Sequence, residues 1–314
     1  MKTSLISPVL NEEKNIKQFL NSILIQTVRP DEVLIVDGGS KDNTYKILKK
    51  YSKKHKWIKI YKKIGFNISQ GRNYAIKKSK GDIIFTCDSG TKLEKNWVKK
   101  ILNGFKKNAD VVFGTWGIEP SNIIEKFLVW RTPNWGKINP DKFIPSNRQV
   151  AFKKHVWEKV RGFPEHLTRA DDNWFHLRAH DLGFKYHFVK NAKVSWILER
   201  NLSKMLKLAF LDSKTEGFSL MFIERKIYIL EFLLLFLGIG LTLLGIFVDL
   251  KILIYSIGLG FIFSIFFGGY IPYKKVKDIK LFFVGPLLIV LLYFAHVFGV
   301  LTGIFQRTYK KTEN

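Results

Sequence analysis

A chain of 314 residues has room for one large domain and an appendage, since domains mostly run about 100 to 200 residues. Its 52 Lys and Arg against 26 Asp and Glu leave a formal charge of +26, spread along the chain with no single basic tail, so an anionic partner is expected. A lone cysteine, Cys87, excludes an intramolecular disulfide and any need for an oxidising compartment.

Met1 to Leu10 lead into Asn11, Glu12 and Glu13 without the apolar core of a signal peptide, so membrane insertion is expected from the C-terminal end. From Thr3 to about Trp116, short apolar runs alternate with amphipathic stretches, which predicts an α/β domain with a mainly parallel sheet flanked by helices. The predicted strands are Ser4 to Ser7, Glu32 to Asp37, Ile58 to Lys62, Asp82 to Asp88 and Val111 to Trp116. In the first helix, Ile16, Phe19, Leu20, Ile23 and Leu24 share one face and cover the sheet. Beyond Trp116, Pro120, Pro133, Pro140 and Pro145 interrupt an aromatic stretch with Trp130 and Trp135, read either as a substrate loop or as a surface insertion packed on the sheet. A helix is predicted over Asp171 to Gly183, then strands at Tyr186 to Val189 and Val194 to Leu198.

Leu202, Met205, Leu206, Ala209 and Phe210 form a stripe flanked by Lys204 and Lys207, suited to a helix in a membrane interface or to a buried linker helix. Three apolar runs follow, Ile229 to Val248, Ile252 to Ile271 and Leu281 to Phe305, each near the roughly 20 residues that cross a bilayer. Asp249 to Lys251 is a tight hairpin, and Lys274, Lys275, Lys277 and Lys280 place the next loop in the cytoplasm. Three crossings would leave Arg307, Lys310 and Lys311 outside, whereas a last segment re-entering near Gly285 and Pro286 keeps them inside. The expected organisation is a catalytic domain over 1–200, an amphipathic linker over 201–226 and an anchor of two or three transmembrane helices over 227–314. The catalytic domain then faces the cytoplasm at the cell membrane, whose anionic surface attracts Lys and Arg. Nucleic acid is not the expected partner, because no clustered basic helix or recognition motif accompanies the charge.

Chemistry-bearing residues stand at the ends of predicted strands. The first ends in Ser7-Pro8-Val9-Leu10-Asn11-Glu12 and the second in Val36-Asp37-Gly38-Gly39-Ser40, with Asp42 and Thr44 behind it. Loops at the carboxyl ends of parallel strands converge on one crevice, where a carboxylate meets a base or ribose and glycine permits close backbone approach. Taken alone, an Asp-Gly-Gly-Ser turn is also ordinary loop chemistry. Gly71-Arg72-Asn73-Tyr74-Ala75, Cys87-Asp88-Ser89-Gly90 and Asp171-Asp172-Asn173-Trp174-Phe175 with Arg178 come next, in that order.

Together these segments resemble the family 2 glycosyltransferases of GT-A fold, over approximately Thr3 to Leu198. The resemblance implies a nucleotide-diphosphate sugar as donor, held by Pro8, Asn11, Glu12, Asp37, Gly38, Arg72 and Asp88, with Arg72 on the pyrophosphate or base. It places Asp88 at the first acid of the family's Asp-x-Asp, which holds a divalent cation, Mg2+ or Mn2+, on the diphosphate; Gly90 replaces the second acid. Asp172 takes the place of the catalytic Asp, a general base for inverting transfer, with Asp171 beside it where the family has Glu. Trp174 replaces a later acid, Arg178 matches the family's Arg, and both join Asn147 on the expected acceptor side. Helix capping by Asp171 and Asp172 is the plainer alternative. His155, His166, His176, His180 and His187 match no zinc spacing.

No Gln-x-x-Arg-Trp follows Asp172, and the family's processive synthases carry that motif, so single addition is expected. An anchor beside the cleft implies a lipid-linked or membrane-proximal acceptor. A catalytically inactive membrane-tethered nucleotide-sugar-binding or scaffold protein is the alternative, motivated by Gly90 and Trp174.

Overall fold

The computed structural model describes residues 1–167, 169–198, 200–220, 237–238 and 240–312. The chain divides into two compact units, Met1–Glu119 with Thr132–Leu198, and Pro120–Arg131 with Glu199–Asn314.

The first unit is built on an eight-stranded sheet of order β3-β2-β1-β4-β7-β6-β8-β5. β1 (Thr3–Val9), β2 (Glu32–Asp37), β3 (Ile58–Lys62) and β4 (Ile83–Thr86) run parallel. β7 (Val150–Lys153) runs antiparallel between β4 and β6 (Val111–Ile118), and β5 (Thr91–Leu93) runs antiparallel to β8 (Tyr186–Trp196). All six residues of β2 are buried, as expected of a central strand rich in Val, Ile and Leu with both faces covered.

Alternation along the strands sorts the core into two layers. Leu5, Val33, Ile35 and Phe85 pack under Ile16, Phe19, Leu20 and Ile23 of α1 (Ile16–Leu24) and Trp97, Val98 and Ile101 of α4 (Trp97–Phe105). Ile6, Leu34, Val36 and Ile84 pack under Ala75 and Ile76 of α3 (Ile68–Lys78), Val156 of α6 (Lys154–Val160) and Phe175 and Ala179 of α7 (Asp171–Asp181). α2 (Thr44–Lys54) completes the first layer through Leu48.

Where the structure differs from the pattern, short or interrupted elements are the cause. β5 and β7 hold only three and four residues, too few to show an alternation. The two strands predicted over 186–198 are one, β8, whose pairing with β6 shifts register between Phe113 and Thr115; a Cβ on Gly114 would collide with the Ala192 carbonyl. The α3 helix begins at Ile68, capped by Asn67 and Gln70 in a reciprocal capping box, so Arg72 lies in its second turn and not at its start.

In the second unit, a stretch expected to be irregular holds α5 (Ile123–Val129), because Asn122 accepts from Glu125 N and Glu125 accepts from Ser121 N, Ser121 Oγ and Arg200 N. Phe127 of α5 packs with Met205, Ala209, Leu281 and Leu288. α8 (Leu202–Ser219) buries Met205 and Ala209 and meets the helix Lys280–Thr312 at Gly299, where a Cβ would stand 2.5 Å from Phe210 O. Of the 202–210 stripe, Met205 and Ala209 are buried and Leu202 is exposed.

Two helices, Leu250–Val276 and Lys280–Thr308, are long and apolar enough to cross a membrane. The first contains a π-helical stretch at Ile265–Tyr270. Asp249 caps it by accepting from Lys251 N, and the predicted hairpin forms there after helical residues 240–247. The last helix runs unbroken through Gly285 and Pro286, so the break expected for re-entry is not formed. Residues 229–236 of the first predicted apolar run lie outside the described residues.

Candidate active site

The carboxyl ends of β2, β1 and β4 form one edge, with Val9 beside Asp37 and Ile6 beside Thr86. Asp37 is fully buried; its Oδ1 accepts from Ser40 N at 2.9 Å and Ser40 Oγ at 2.6 Å. Its Oδ2 is buried with no hydrogen-bond partner. A buried acceptor left empty costs about 1–3 kcal/mol, so this atom invites a ligand donor.

The loops after β1 and β2 lock together. Asn11, at φ 54°, accepts from Lys41 N at 2.9 Å while its own N donates to Ser40 Oγ. Glu12 N donates to Thr44 Oγ1, and Glu12 O accepts from Asn15 and Ile16 at the start of α1. Pro8 meets α3 at Gly71, where a Cβ would come within 3.0 Å of Pro8 Cβ. At Gly38 a Cβ would stand 2.8 Å from Phe66 O, so glycine there lets the loop between β3 and α3 approach the backbone closely. Gly38→Ala must push backbone, and a loss of about 1–3 kcal/mol of stability is expected, measurable by thermal unfolding.

One strand further on, the Arg72 guanidinium is 2% exposed and ties two stretches together. Nη2 donates to Asp88 Oδ1 at 2.8 Å, and Nη1 pairs with Asp171 Oδ2. Burial alone would lower the arginine's pKa, but Asp171, Asp88 and Asp172 outweigh it and hold the guanidinium charged. Burial raises Asp171 above the ordinary carboxylate range, with Arg72 opposing and Asp172 and Asp88 adding. Asp172 follows on the first turn of α7, half-buried, with Oδ1 accepting from Asn173 N at 3.0 Å. Neither acid caps the helix: the cap position is Ala170, in the left-handed conformation at φ 56°, a costly backbone state for a non-glycine residue.

Asn73, unassigned from sequence, holds the facing loop. Its side chain donates to Phe163 O and Glu165 Oε1 and accepts from Phe163 N and Trp157 Nε1, all within 2.9 Å. The Arg-Asn pair is thus divided, one residue to the acids and one to the chain that leads into α7. Arg148 was also missed. Its Nε lies 3.7 Å from Asp88 Oδ2, and its Cζ sits 3.8 Å over the Trp196 ring.

The acceptor-side residues separate. Asn147 is buried with Oδ1 against Thr86 Oγ1 at 3.3 Å. Trp174 packs on the core around Phe175, and Arg178 is 60% exposed, pairs with Asp181 at 3.4 Å and lies over the Trp174 ring. Neither Trp174 nor Arg178 joins the Arg72 cluster. His176 is buried against Tyr186 Oη at 2.9 Å, and burial pushes its pKa down to about 3, leaving a neutral packing residue.

For a divalent cation, Asp88 is the fitting ligand. Its Oδ2 is beyond hydrogen-bond reach of Arg148, so one carboxylate oxygen is open to a hard ion that a diphosphate and water would otherwise surround. Among the described residues no group of three His, Cys, Asp or Glu is placed to hold a metal.

Residues 4–163 match the profile of Glycosyl transferase family 2. The chain belongs to that family. Among curated proteins it is similar to the poly(ribitol-phosphate) beta-N-acetylglucosaminyltransferase TarP of Staphylococcus aureus, 29% identical over 61% of this chain and 58% of TarP. Among solved structures it is similar to S. aureus TarS 1-349 in complex with UDP-GlcNAc, at TM-score 0.52 and 18% identity, covering 100% of this chain and 93% of that one. It is also similar to the mannosyltransferase PcManGT from Pyrobaculum calidifontis in complex with GDP-Man and Mn2+, at TM-score 0.62 and 14% identity, covering 98% and 88%. These likenesses show the fold of a family 2 glycosyltransferase domain, GT-A-like with a mixed sheet.

Proposed function

We propose that the chain is an inverting glycosyltransferase that moves one sugar from a nucleotide-diphosphate donor to a lipid-linked or membrane-proximal acceptor. The observation that carries this reading is the Arg72 bridge, which fastens Asp88 at the end of β4 to Asp171 on α7 and so sets Asp172 beside the donor edge. Asp37 Oδ2 receives the base or ribose, and the diphosphate lies toward Asp88.

Asp172 takes the proton of the acceptor hydroxyl as its oxygen attacks the anomeric carbon. The new carbon–oxygen bond forms opposite the breaking bond to the diphosphate, which leaves with its electron pair, and the configuration inverts. Asp88 would hold a Mg2+ or Mn2+ ion, whose charge would offset that of the departing diphosphate. Asp171, committed to Arg72, positions α7 and does not take the proton.

Membrane proximity rests on Leu250–Val276, an apolar helix whose Ile254, Tyr255, Ile257 and Phe261 are all at least 60% exposed. The full chain lies at the cell membrane, anchored by its apolar C-terminal segments, with the sugar-transferring unit on the cytoplasmic side. The relatives named above differ in sugar, N-acetylglucosamine in two and mannose in the third, so the test is a screen. Membranes containing the full chain, divalent metal and a panel of nucleotide sugars are expected to yield a glycosylated lipid or polymer detectable by mass spectrometry. Failure across UDP- and GDP-sugars, with those membrane lipids present, contradicts the reading. Nucleotide binding without turnover would favour a sensor, the alternative that Gly90 motivates.

A further inference from the structure

Beside Asp88, several side-chain donors are left without acceptors. Asn147 Nδ2, Arg148 Nε, Gln149 Nε2 and Arg72 Nε are all buried atoms with no hydrogen-bond partner. Asn147 and Gln149 are 1% and 0% exposed, so water does not serve them from bulk. Three of the four belong to consecutive residues in the segment entering β7, whose Val150 pairs with Thr86 of β4. A donor-rich segment next to the end of β4 calls for an anion with several oxygens.

Arg148 is the member built to meet one. Its guanidinium lies over Trp196, Cζ 3.8 Å from the ring centroid, and over Trp116 at 5.6 Å. The two rings contact each other edge to face at 5.6 Å, so the arginine is held by stacking and keeps its donors available. Gly90, two residues past Asp88, belongs to the same corner: a Cβ there would lie 3.9 Å from Trp196 Nε1. No second carboxylate stands there to compete for the guanidinium.

We infer that Arg148 anchors a phosphate of the substrate, and that this phosphate is the donor diphosphate beside Asp88. The inference rests on the nucleotide-sugar reading and adds a binding residue to it. Arg148 brings a fixed positive charge to the diphosphate whether or not a cation accompanies it.

Calorimetry on the full chain in detergent tests this, with UDP, GDP, uridine and guanosine as probes, each titrated in excess Mg2+ and again in EDTA. Arg148→Gln is expected to weaken binding of the preferred diphosphate by at least about 10-fold, the scale of a charge-assisted hydrogen bond. The loss persists in EDTA, the parent nucleoside binds as before, and Arg148→Lys recovers part of the loss. Equal loss of diphosphate and nucleoside would assign Arg148 a structural role and overturn the inference. Unchanged diphosphate binding would overturn it as well and leave the proposed function standing; glycerol phosphate, titrated alongside, then shows whether the acceptor's phosphate is the one held. A wild-type chain that binds neither nucleotide defeats both readings at once.

Discussion

Arg72→Leu is expected to destabilise the protein by about 3–5 kcal/mol, the cost of leaving a buried charge without its partner. Arg72 and Asp171 are 2% and 4% exposed, so neither side chain can turn to water when the other is lost. Removing the guanidinium strands Asp171 next to Asp172 and Asp88, both of which already favour its protonated form. The sign of the pH dependence follows. A carboxyl group whose folded pKa lies above its ordinary value of 3.8 contributes stability that is present at low pH and lost as pH rises. The penalty for Arg72→Leu is therefore smaller at pH 5 than at pH 8, and adding Asp171→Asn removes the difference. Thermal unfolding of the full chain in detergent at the two pH values measures this. A penalty that does not change with pH would mean that Asp171 does not depend on Arg72.

Asp172→Asn is expected to lower turnover by at least about 100-fold, the scale of losing a positioned acid-base group. The two neighbouring acids have different surroundings: Asp171 is buried and paired with Arg72, while Asp172 accepts only a local N–H from Asn173 among its described hydrogen bonds. Of the pair, Asp172 is thus the one whose carboxylate is free to take a proton from an acceptor. The substitution keeps size and leaves the Arg72 bridge intact, so melting temperature and nucleotide affinity should stay near wild type while steady-state turnover falls. A rate close to wild type would move the base elsewhere on the site. Asp171→Asn should differ in kind, lowering stability and turnover together because it loosens the strut that sets α7.

The parts of this site legible in the sequence were those with a local signature. β2 ends at Asp37, β4 leads into Asp88 and α7 opens on Asp171 and Asp172; strand-end chemistry pointed to the first two, and the family resemblance to the acids of α7. What escaped was set by contacts distant in sequence. The Arg72–Asp171 bridge spans 99 positions, and nothing in Gly71-Arg72-Asn73 announces that Arg72 turns to the acids while Asn73 clamps Phe163. Arg148 was hidden for the same reason, since its meaning comes from Trp116 and Trp196 on two other strands. Its one local signal is that it stands as the sole charged residue between Lys142 and Lys153 apart from a run of polar and apolar neighbours. Arg178, which family spacing puts on the acceptor side, is exposed and pairs with Asp181. α5 was lost among prolines because its cap, Asn122, and its buried Glu125 gain their sense from Arg200.

The central claim is that Asp37, Asp88 and Asp172 serve one bound nucleotide sugar at the carboxyl edge of a single sheet. A crystal structure of the full chain with UDP or GDP, whichever binds, tests it most directly. The base or ribose is expected on Asp37 Oδ2 and the diphosphate beside Asp88 and Arg148, with Asp172 facing the vacant sugar position. A nucleotide seated elsewhere, with Asp37 Oδ2 still empty, would contradict it.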